Sequence, residues 1–469
     1  MMPGRTLFEK IWAQHVVAEL RGGLCLLSID RHYLHDLEGG PNFIRLAKLG
    51  YRVRDPDLTF AMPDHAISSL PGRSTDSNPT GGRLLRELRR GAFASGVKLF
   101  DLGDEGQGIV HVAAPEMGLT LPGAIVVCPD SHTCTQGALG ALAIAIGSSE
   151  VAHVLATQTL RQKKPKTMCI RLEGRRSPGV SAKDVVLSTI GQLGTAVGRG
   201  YALEFRGSLV NELTIEERLT VCNLSIELGS KTGIMAPDDA TYQYLAGRPY
   251  APKGSLFDEA VAHWRSLPSD DDAVFDAEHT IRVPDVAPQI TWGTSPEDVI
   301  DVTGRIPDPS KEASAERKKS IEAALEYMGL RPGDPIEGTP VDWVFIGSCT
   351  NGRLSDLREA AKALSGRKVA DGVRAWIVPG SLAVKQAAER EGLHRTFLNA
   401  GFEWREPGCS MCVGANGDII APGQRSVSTT NRNFVGRQGP GVRTHLASPT
   451  MAVAAAVTGR IADIRKIGH

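Results

Sequence analysis

The sequence predicts an α/β fold built on layers of parallel strands, and three observations carry that expectation. Short apolar runs alternate with segments of helical period: 124–128 (AIVVC) precedes a helix over about 149–160, 341–346 (VDWVFI) one near 354–364, and 373–378 (VRAWIV) one over about 382–391. The punctuation between them comes from 51 Gly and 28 Pro, with Gly above its usual share of about 7%. At 469 residues, 41% of them hydrophobic, the chain can bury a sizeable core and fill roughly two to four domains of about 100–200 residues.

Taken in order, the elements have identifiable causes. Residues 65–82 (HAISSLPGRSTDSNPTGG) read as a long loop, a length that is often functional. Thr214 with Glu217 three residues on forms a capping box for a helix that Gly229 can stop. Residues 265–320 mix Pro, Asp, Ser and Lys with short apolar pieces, and a soft boundary falls there, with another near 165. The divisions are 1–165, 166–290 and 291–469. Pro379-Gly380 ends the strand 373–378, and Ser448-Pro449 opens a final Ala-rich helix that Gly459 can close.

Charge and composition exclude several classes. Lys+Arg and Asp+Glu both number 53, which argues against nucleic-acid or membrane-surface binding by bulk charge. Aromatics are 5%, a poor supply of stacking platforms for single strands. The most apolar stretch, 138–147 (ALGALAIAIG), is about half a membrane span, and the N-terminus lacks a charged segment followed by an apolar one. A cytoplasmic protein is expected. Eight cysteines are too few for a disulfide scaffold, so clustered ones carry information.

Two cysteines do cluster. Cys409 and Cys412 stand two residues apart in PGCSMCVG, where both sulfurs can face one centre. Alone this fits a redox pair or two incidental thiols; zinc would ask for further ligands that no second C-x-x-C or H-x-x-x-H supplies. Cys349 in GSCTNGR follows the strand 341–346 and precedes a helix, at the sheet edge where open α/β folds bind ligands. Three such cysteines can hold three corners of a cubane iron–sulfur cluster and leave one iron open as a Lewis acid. Cys25 and Cys169 lie in apolar strands, Cys222 on a helix, and Cys128 and Cys134 flank the next motif.

Acid–base residues gather at predicted strand ends. CPDSHT (128–133) places Asp130, Ser131 and His132 in one loop; Asp64-His65 follows Pro63; His111 lies in GIVHV. A carboxylate beside an imidazole fixes its tautomer and raises its basicity, which suits a general acid. Each histidine alone is more often structural, and the shared placement is what singles them out. Asn223 and Glu227, four apart after Thr214, are expected on one helix face, either solvated or buried with a partner. Arg432 and Arg437 in NRNFVGR, followed by glycines, read as a basic surface loop or as a bidentate clamp for carboxylates. GSKT (229–232) lacks phosphate-loop spacing, and the glycines at 191, 194, 198 and 200 miss the dinucleotide fingerprint.

These segments together resemble the aconitase superfamily, and within it the large subunits of the 3-isopropylmalate dehydratases. The resemblance runs over nearly the whole chain: LFEKIWAQHVV, IDRHYLHD (29–36), GIVHV, DSHT, HVLATQTL (153–160), VCNLSIELGSKTG, APKG (251–254), QITWGTSPEDVI (289–300), GSCTNGR, PGCSMC and NRNFVGRQG. It implies a core of three α/β domains around a central iron–sulfur site, lacking a swivelling fourth domain. It implies a [4Fe–4S] cluster on Cys349, Cys409 and Cys412, whose open iron binds the substrate hydroxyl and one carboxylate. Asp64, His65, His111, Asp130, His132 and Glu227 match catalytic positions, with His111 and Asp130 as a buried pair and His132 beside the departing hydroxyl. Ser131, Asn223, Asn431, Arg432 and Arg437 match substrate- or cluster-contacting positions.

The reaction implied is dehydration of a hydroxy-diacid to an alkene and rehydration with the hydroxyl moved, on 2-isopropylmalate in leucine biosynthesis. The alternative within the class is a hydratase of homocitrate, citraconate, maleate or another substituted malate. An RNA-binding or metal-sensing relative is a reading from another class, disfavoured by the neutral charge and few aromatics. The family's proton-abstracting serine lies in Gly-Ser-Ser-Arg-Glu. Gly147-Ser148-Ser149-Glu150 lacks the Arg, so a small subunit with the swivelling domain is the expected partner, with a small dicarboxylate as substrate and neither membrane nor nucleic acid. Departures are Gly352 for a common Ser, Gln136 for a common His, Cys134, and the loop after His65.

Overall fold

The structure, a computed structural model, describes residues 4–467. Its contacts divide into two compact units. The first comprises the chain up to Ala66, Pro79–Arg175 and Ala196–Arg282; the second comprises Ile67–Asn78, Arg176–Thr195 and the chain from Val283 on.

The first unit contains a five-stranded, wholly parallel sheet in the order Lys98–Leu99, Thr59–Ala61, Arg31–Leu34, Ile125–Cys128, Leu142–Ala145. Ile125–Cys128 is buried along its whole length, which is why it reads as an unbroken apolar run rather than an alternation. The chain builds outward from Arg31–Leu34 to one edge, then returns to lay Ile125–Cys128 on the other flank of that strand. Loops diverge at such a reversal and leave a crevice at the C-terminal ends of the strands. Tyr33, Phe60, Met62, Phe100 and Val110 pack the core beneath. A four-stranded parallel sheet follows, in the order Thr232–Ile234, Tyr201–Arg206, Lys166–Glu173, Ala277–Arg282. Val16–Leu20, Leu24–Ser28 and Thr159–Lys163 add a small antiparallel sheet.

The second unit repeats the first topology. Its five parallel strands run Glu403–Trp404, Arg374–Ile377, Trp343–Ile346, Arg425–Ser428, Arg443–Leu446, so the reversal falls beside Trp343–Ile346. Trp343, Phe345, Trp376, Val378, Met411, Ile420 and Val442 form its core.

The strand–helix alternation read from the sequence is present: Ile125–Cys128 with Ser148–Thr157, Trp343–Ile346 with Leu354–Leu364, and Arg374–Ile377 with Leu382–Arg390. Thr214 and Glu217 form the expected box, Glu217 Oε2 accepting from Thr214 N at 2.9 Å. Pro449–Thr458 is the final long helix, closed by Gly459 at φ 67°. Three expectations need correction. The loop 65–82 ends early, because the helix Pro79–Ser95 already includes Pro79 and the two glycines. Gly81 is there for close approach, since a Cβ would collide with the Ala66 carbonyl. The α-helix Ile215–Asn223 stops at Asn223 and tightens to a 3-10 turn over Leu224–Leu228, so Asn223 and Glu227 are not on one α-helical face. His111 lies in the first turn of the helix Val110–Met117 rather than at a strand end.

Candidate active site

In the first unit, the loops at the C-terminal edge of the five-stranded sheet bring together Asp64, His65, Asp130 and His132, and the helix Val110–Met117 adds His111. Asp130 is the hub. Its Oδ1 accepts from the backbone N–H of His132 at 2.7 Å, and three imidazoles surround it: His65 Nε2 at 3.3 Å, His111 Nε2 at 3.6 Å and His132 Nδ1 at 3.6 Å. Burial on its own would raise the Asp130 carboxyl, but the His111, His132 and His65 rings outweigh it and hold the group well below the ordinary carboxylate range. A negative charge is therefore maintained among three proton carriers.

The outer contacts orient each ring. His65 Nδ1 pairs with Asp64 Oδ1, while Asp64 Oδ2 accepts from Val110 N at 3.1 Å. His132 Nε2 lies 3.1 Å from Glu227 Oε1, and its Nδ1 is 3.2 Å from Ser131 Oγ. The 3-10 turn after Asn223 presents Glu227 to that ring. Asn223 Nδ2 donates to Thr135 Oγ1 at 2.8 Å, which fastens the end of Ile215–Asn223 to the turn carrying His132. The His35 ring lies tilted against His65 with centroids 4.3 Å apart, and burial, then His65, holds it below the ordinary histidine range.

In the second unit, Cys349 sits in the one-turn helix Ser348–Asn351 after Trp343–Ile346, and a single 3-10 turn after Glu403–Trp404 starts just past Cys409 and ends on Cys412. All three thiols are at most 6% exposed. The Asn431 side chain links two of them: its Nδ2 donates to Cys349 Sγ at 3.5 Å and its Oδ1 accepts from Cys412 Sγ at 3.7 Å. Arg437 Nη2 donates to Cys412 Sγ at 3.7 Å. Ser348 (φ 72°) and Ser410 (φ 48°), each adjacent to a cysteine, adopt left-handed backbone that a non-glycine residue takes only under constraint. Arg432 is half-buried in the same loop as Asn431.

Comparison with known proteins fits this arrangement. The sequence profile described as "Aconitase family (aconitate hydratase)" matches residues 9–459. The chain belongs to the aconitase family. Its fold is accordingly aconitase-like, mixed α/β with parallel sheets. The chain is 60% identical over 462 residues to a 3-isopropylmalate dehydratase large subunit 1 of Bradyrhizobium diazoefficiens, covering 98% of this chain and 97% of that one. Among solved structures it is similar to the holo-form of aconitase X from Thermococcus kodakaraensis, at 12% identity and a TM-score of 0.47, over 94% of this chain and 90% of that one. Among the described residues, no helix is long and apolar enough to cross a membrane.

Family membership implies an iron–sulfur cluster, and the second unit has the donors for one. Its cysteines are Cys349, Cys409 and Cys412; the other five all belong to the first unit. The three are buried, and the nitrogen donors of Asn431 and Arg437 face sulfur, as anionic sulfur ligands require.

Sequence reasoning missed several residues that build these sites. Asp36 is fully buried and accepts from the backbone N–H of Asp64, His65 and Ala66. Arg353 is buried and donates to the carbonyls of Cys349 (2.6 Å) and Thr350 (2.7 Å). Lys183, also buried, donates to Thr430 O at 2.8 Å and to Thr429 O, just ahead of Asn431; burial brings its ammonium down to about 7. The signal for Lys183 was present: it shares a helical stripe with Val186, Leu187 and Ile190, a charge on a buried face.

Proposed function

We propose that this aconitase-family hydro-lyase is the large subunit of a two-subunit enzyme that interconverts 2-isopropylmalate and 3-isopropylmalate through the dehydrated alkene, in the cytoplasm, as a step of leucine biosynthesis. The observation that carries the substrate is the 60% identity, over almost the full length of both chains, to a protein named 3-isopropylmalate dehydratase large subunit. The geometry of the first unit supports the chemistry, with one buried carboxylate serving three imidazoles.

A [4Fe–4S] cluster on Cys349, Cys409 and Cys412, with no fourth cysteine for its last iron, would supply a Lewis acid toward the substrate's hydroxyl and carboxylate. His132, set between Ser131, Asp130 and Glu227, delivers the proton with which the departing hydroxyl leaves as water, and recovers one from water on rehydration. Asp130 stabilises the imidazolium forms beside it. Asp64 fixes the ring of His65. Arg432 and Arg437 bind substrate carboxylates, and Ser131, Asn223 and Asn431 orient the rest. The proton on carbon goes to a serine of the small subunit, which carries the swivelling domain. Ser148 and Ser149 lack the Arg of the motif and open the helix Ser148–Thr157, where Glu150 Oε2 accepts from Gly147 N at 2.8 Å.

We also retain three domains, 1–165, 166–290 and 291–469. Each of the three larger sheets draws all its strands from one of these stretches.

The test is turnover by the chain reconstituted anaerobically with its small subunit. 2-Isopropylmalate is expected to give 3-isopropylmalate with transient alkene absorbance. No turnover with 2-isopropylmalate, alongside turnover of a smaller diacid such as citraconate or maleate, would overturn the assignment.

A further inference from the structure

We propose that Gln136 is a positioning residue that locks His111 in one tautomer, with its proton on Nε2 facing Asp130, through a closed chain of buried hydrogen bonds ending at Tyr33. The proposal deepens the functional reading above and rests on it for the role of His111.

Four side chains form the chain, all fully buried: Tyr33, Thr120, Gln136 and His111. Tyr33 OH lies 2.8 Å from Thr120 Oγ1, Thr120 Oγ1 donates to Gln136 Oε1 at 2.7 Å, and Gln136 Nε2 lies 3.2 Å from His111 Nδ1. On the other side of the ring, His111 Nε2 faces Asp130 Oδ1 at 3.6 Å. Among the described residues, Thr120 is the hydrogen-bond partner of the Tyr33 hydroxyl, and burial pushes that phenol up, so it stays protonated. The chain therefore ends in the core and conducts no proton.

A closed chain of hydroxyls and an amide has two polarities. In the first, Tyr33 donates to Thr120, Thr120 to Gln136 Oε1, and Gln136 Nε2 to an unprotonated His111 Nδ1. Each link of the chain then runs from a donor to an acceptor, and the one ring proton, on Nε2, lies toward a carboxylate 3.6 Å away. In the reverse polarity, His111 Nδ1–H donates to Gln136 Oε1, the amide donates to Thr120, and Thr120 donates to Tyr33. The Tyr33 proton is then buried with no acceptor, and the His111 Nε2 lone pair faces the Asp130 anion. Both ends of the chain select the first polarity. Glutamine suits the position because its amide is donor and acceptor at once.

The charged and titratable groups around His111 are Asp130, the His65 and His132 rings that share that carboxylate, Asp64 through its bond to Val110 N, and the Cys128 thiol, which burial and the Asp130 charge push up. Only Gln136 addresses Nδ1 among the described residues.

The experiment uses the full chain with histidine labelled by 15N and the His111 signals assigned by their loss in His111→Asn. Wild type is expected to show His111 with a proton on Nε2 and a bare, hydrogen-bond-accepting Nδ1. As the ionised carboxylate, the side chain of Gln136→Glu presents only acceptors to Nδ1, so in buffer alkaline enough to ionise it the proton is expected on Nδ1 or on both nitrogens. In the reconstituted two-subunit enzyme, the histidine limb of the kcat/KM–pH profile is expected to move up by about 1–3 units. A merely structural role would scale activity without moving that limb. If Gln136→Glu does not fold, Thr120→Val decides, because it removes the donor that orients the amide and is expected to populate both tautomers. An Nδ1–H tautomer in wild type, or an unchanged tautomer in the folded variant, overturns the proposal. The nitrogen shifts need no turnover, so a chain inactive on 2-isopropylmalate would refute the substrate and leave this result readable.

Discussion

Removing the Asp36 carboxylate tests how the first cluster is held. Asp36 lies in the loop after Arg31–Leu34, and its carboxylate accepts from the backbone that carries Asp64 and His65. Its Oδ2 accepts from Ala66 N at 2.7 Å and its Oδ1 from His65 N at 3.0 Å, while the third bond, from Asp64 N, is long at 3.4 Å. Counting the two short bonds at about 1.5–3 kcal/mol each for a charged acceptor, Asp36→Ala is expected to cost about 3–6 kcal/mol. Asp36→Asn keeps one acceptor oxygen and is expected to lose about half of that. A shift of about 1 Å in the Asp64–His65 backbone corresponds to roughly a 100-fold loss in turnover. Urea unfolding followed by circular dichroism reads the first quantity, and turnover of the reconstituted enzyme the second. Asp36→Ala within about 1 kcal/mol of wild type and fully active would refute the reasoning, since buried N–H groups cannot lose a charged acceptor at no expense.

Three further outcomes follow from the same contacts. Asp130→Asn removes the charge that the three imidazoles share and is expected to lower kcat about 10²–10⁴-fold with substrate affinity little changed, as steady-state kinetics will show. Arg353→Ala removes the guanidinium bonds to the Cys349 and Thr350 carbonyls, so the reconstituted variant is expected to lose iron faster than wild type under chelator, measured by the decay of cluster absorbance. His15 is opposed by burial, but its bonds to Asp30 and the Ile11 carbonyl outweigh that and raise it above 6.5. The pair's contribution to stability is complete below pH 6.5 and fades as pH rises through the raised value, so unfolding midpoints should fall between acid and alkaline buffer in wild type and flatten over that window in His15→Asn.

Much of the fold was legible because parallel strands buried on both faces leave unbroken apolar runs, as at Ile125–Cys128 and Trp343–Ile346. The candidate site was legible where uncommon residues stand close in sequence, as in Asp130-Ser131-His132 and Cys409…Cys412. What stayed hidden acts at a distance along the chain. Asp36 serves residues 28 to 30 positions on, and Lys183 serves Thr429 and Thr430 across 246 and 247 positions. No local spacing records such pairings. The helix start at Pro79 was obscured for another reason: Gly81 and Gly82 look like loop residues, yet they let the helix approach Ala66. The switch from α to 3-10 at Asn223 is likewise invisible to a period count, since Leu224, Ile226 and Leu228 continue the apolar pattern.

The central claim is that Cys349, Cys409 and Cys412 bind an iron–sulfur cluster with one iron lacking a cysteine. Iron and acid-labile sulfide analysis with Mössbauer spectroscopy of the anaerobically reconstituted chain tests it most directly. About four of each per chain, with one iron whose signal shifts when substrate is added and with loss of the cluster in Cys349→Ser, is the predicted result. Iron at background, or the same content in Cys349→Ser as in wild type, would contradict it.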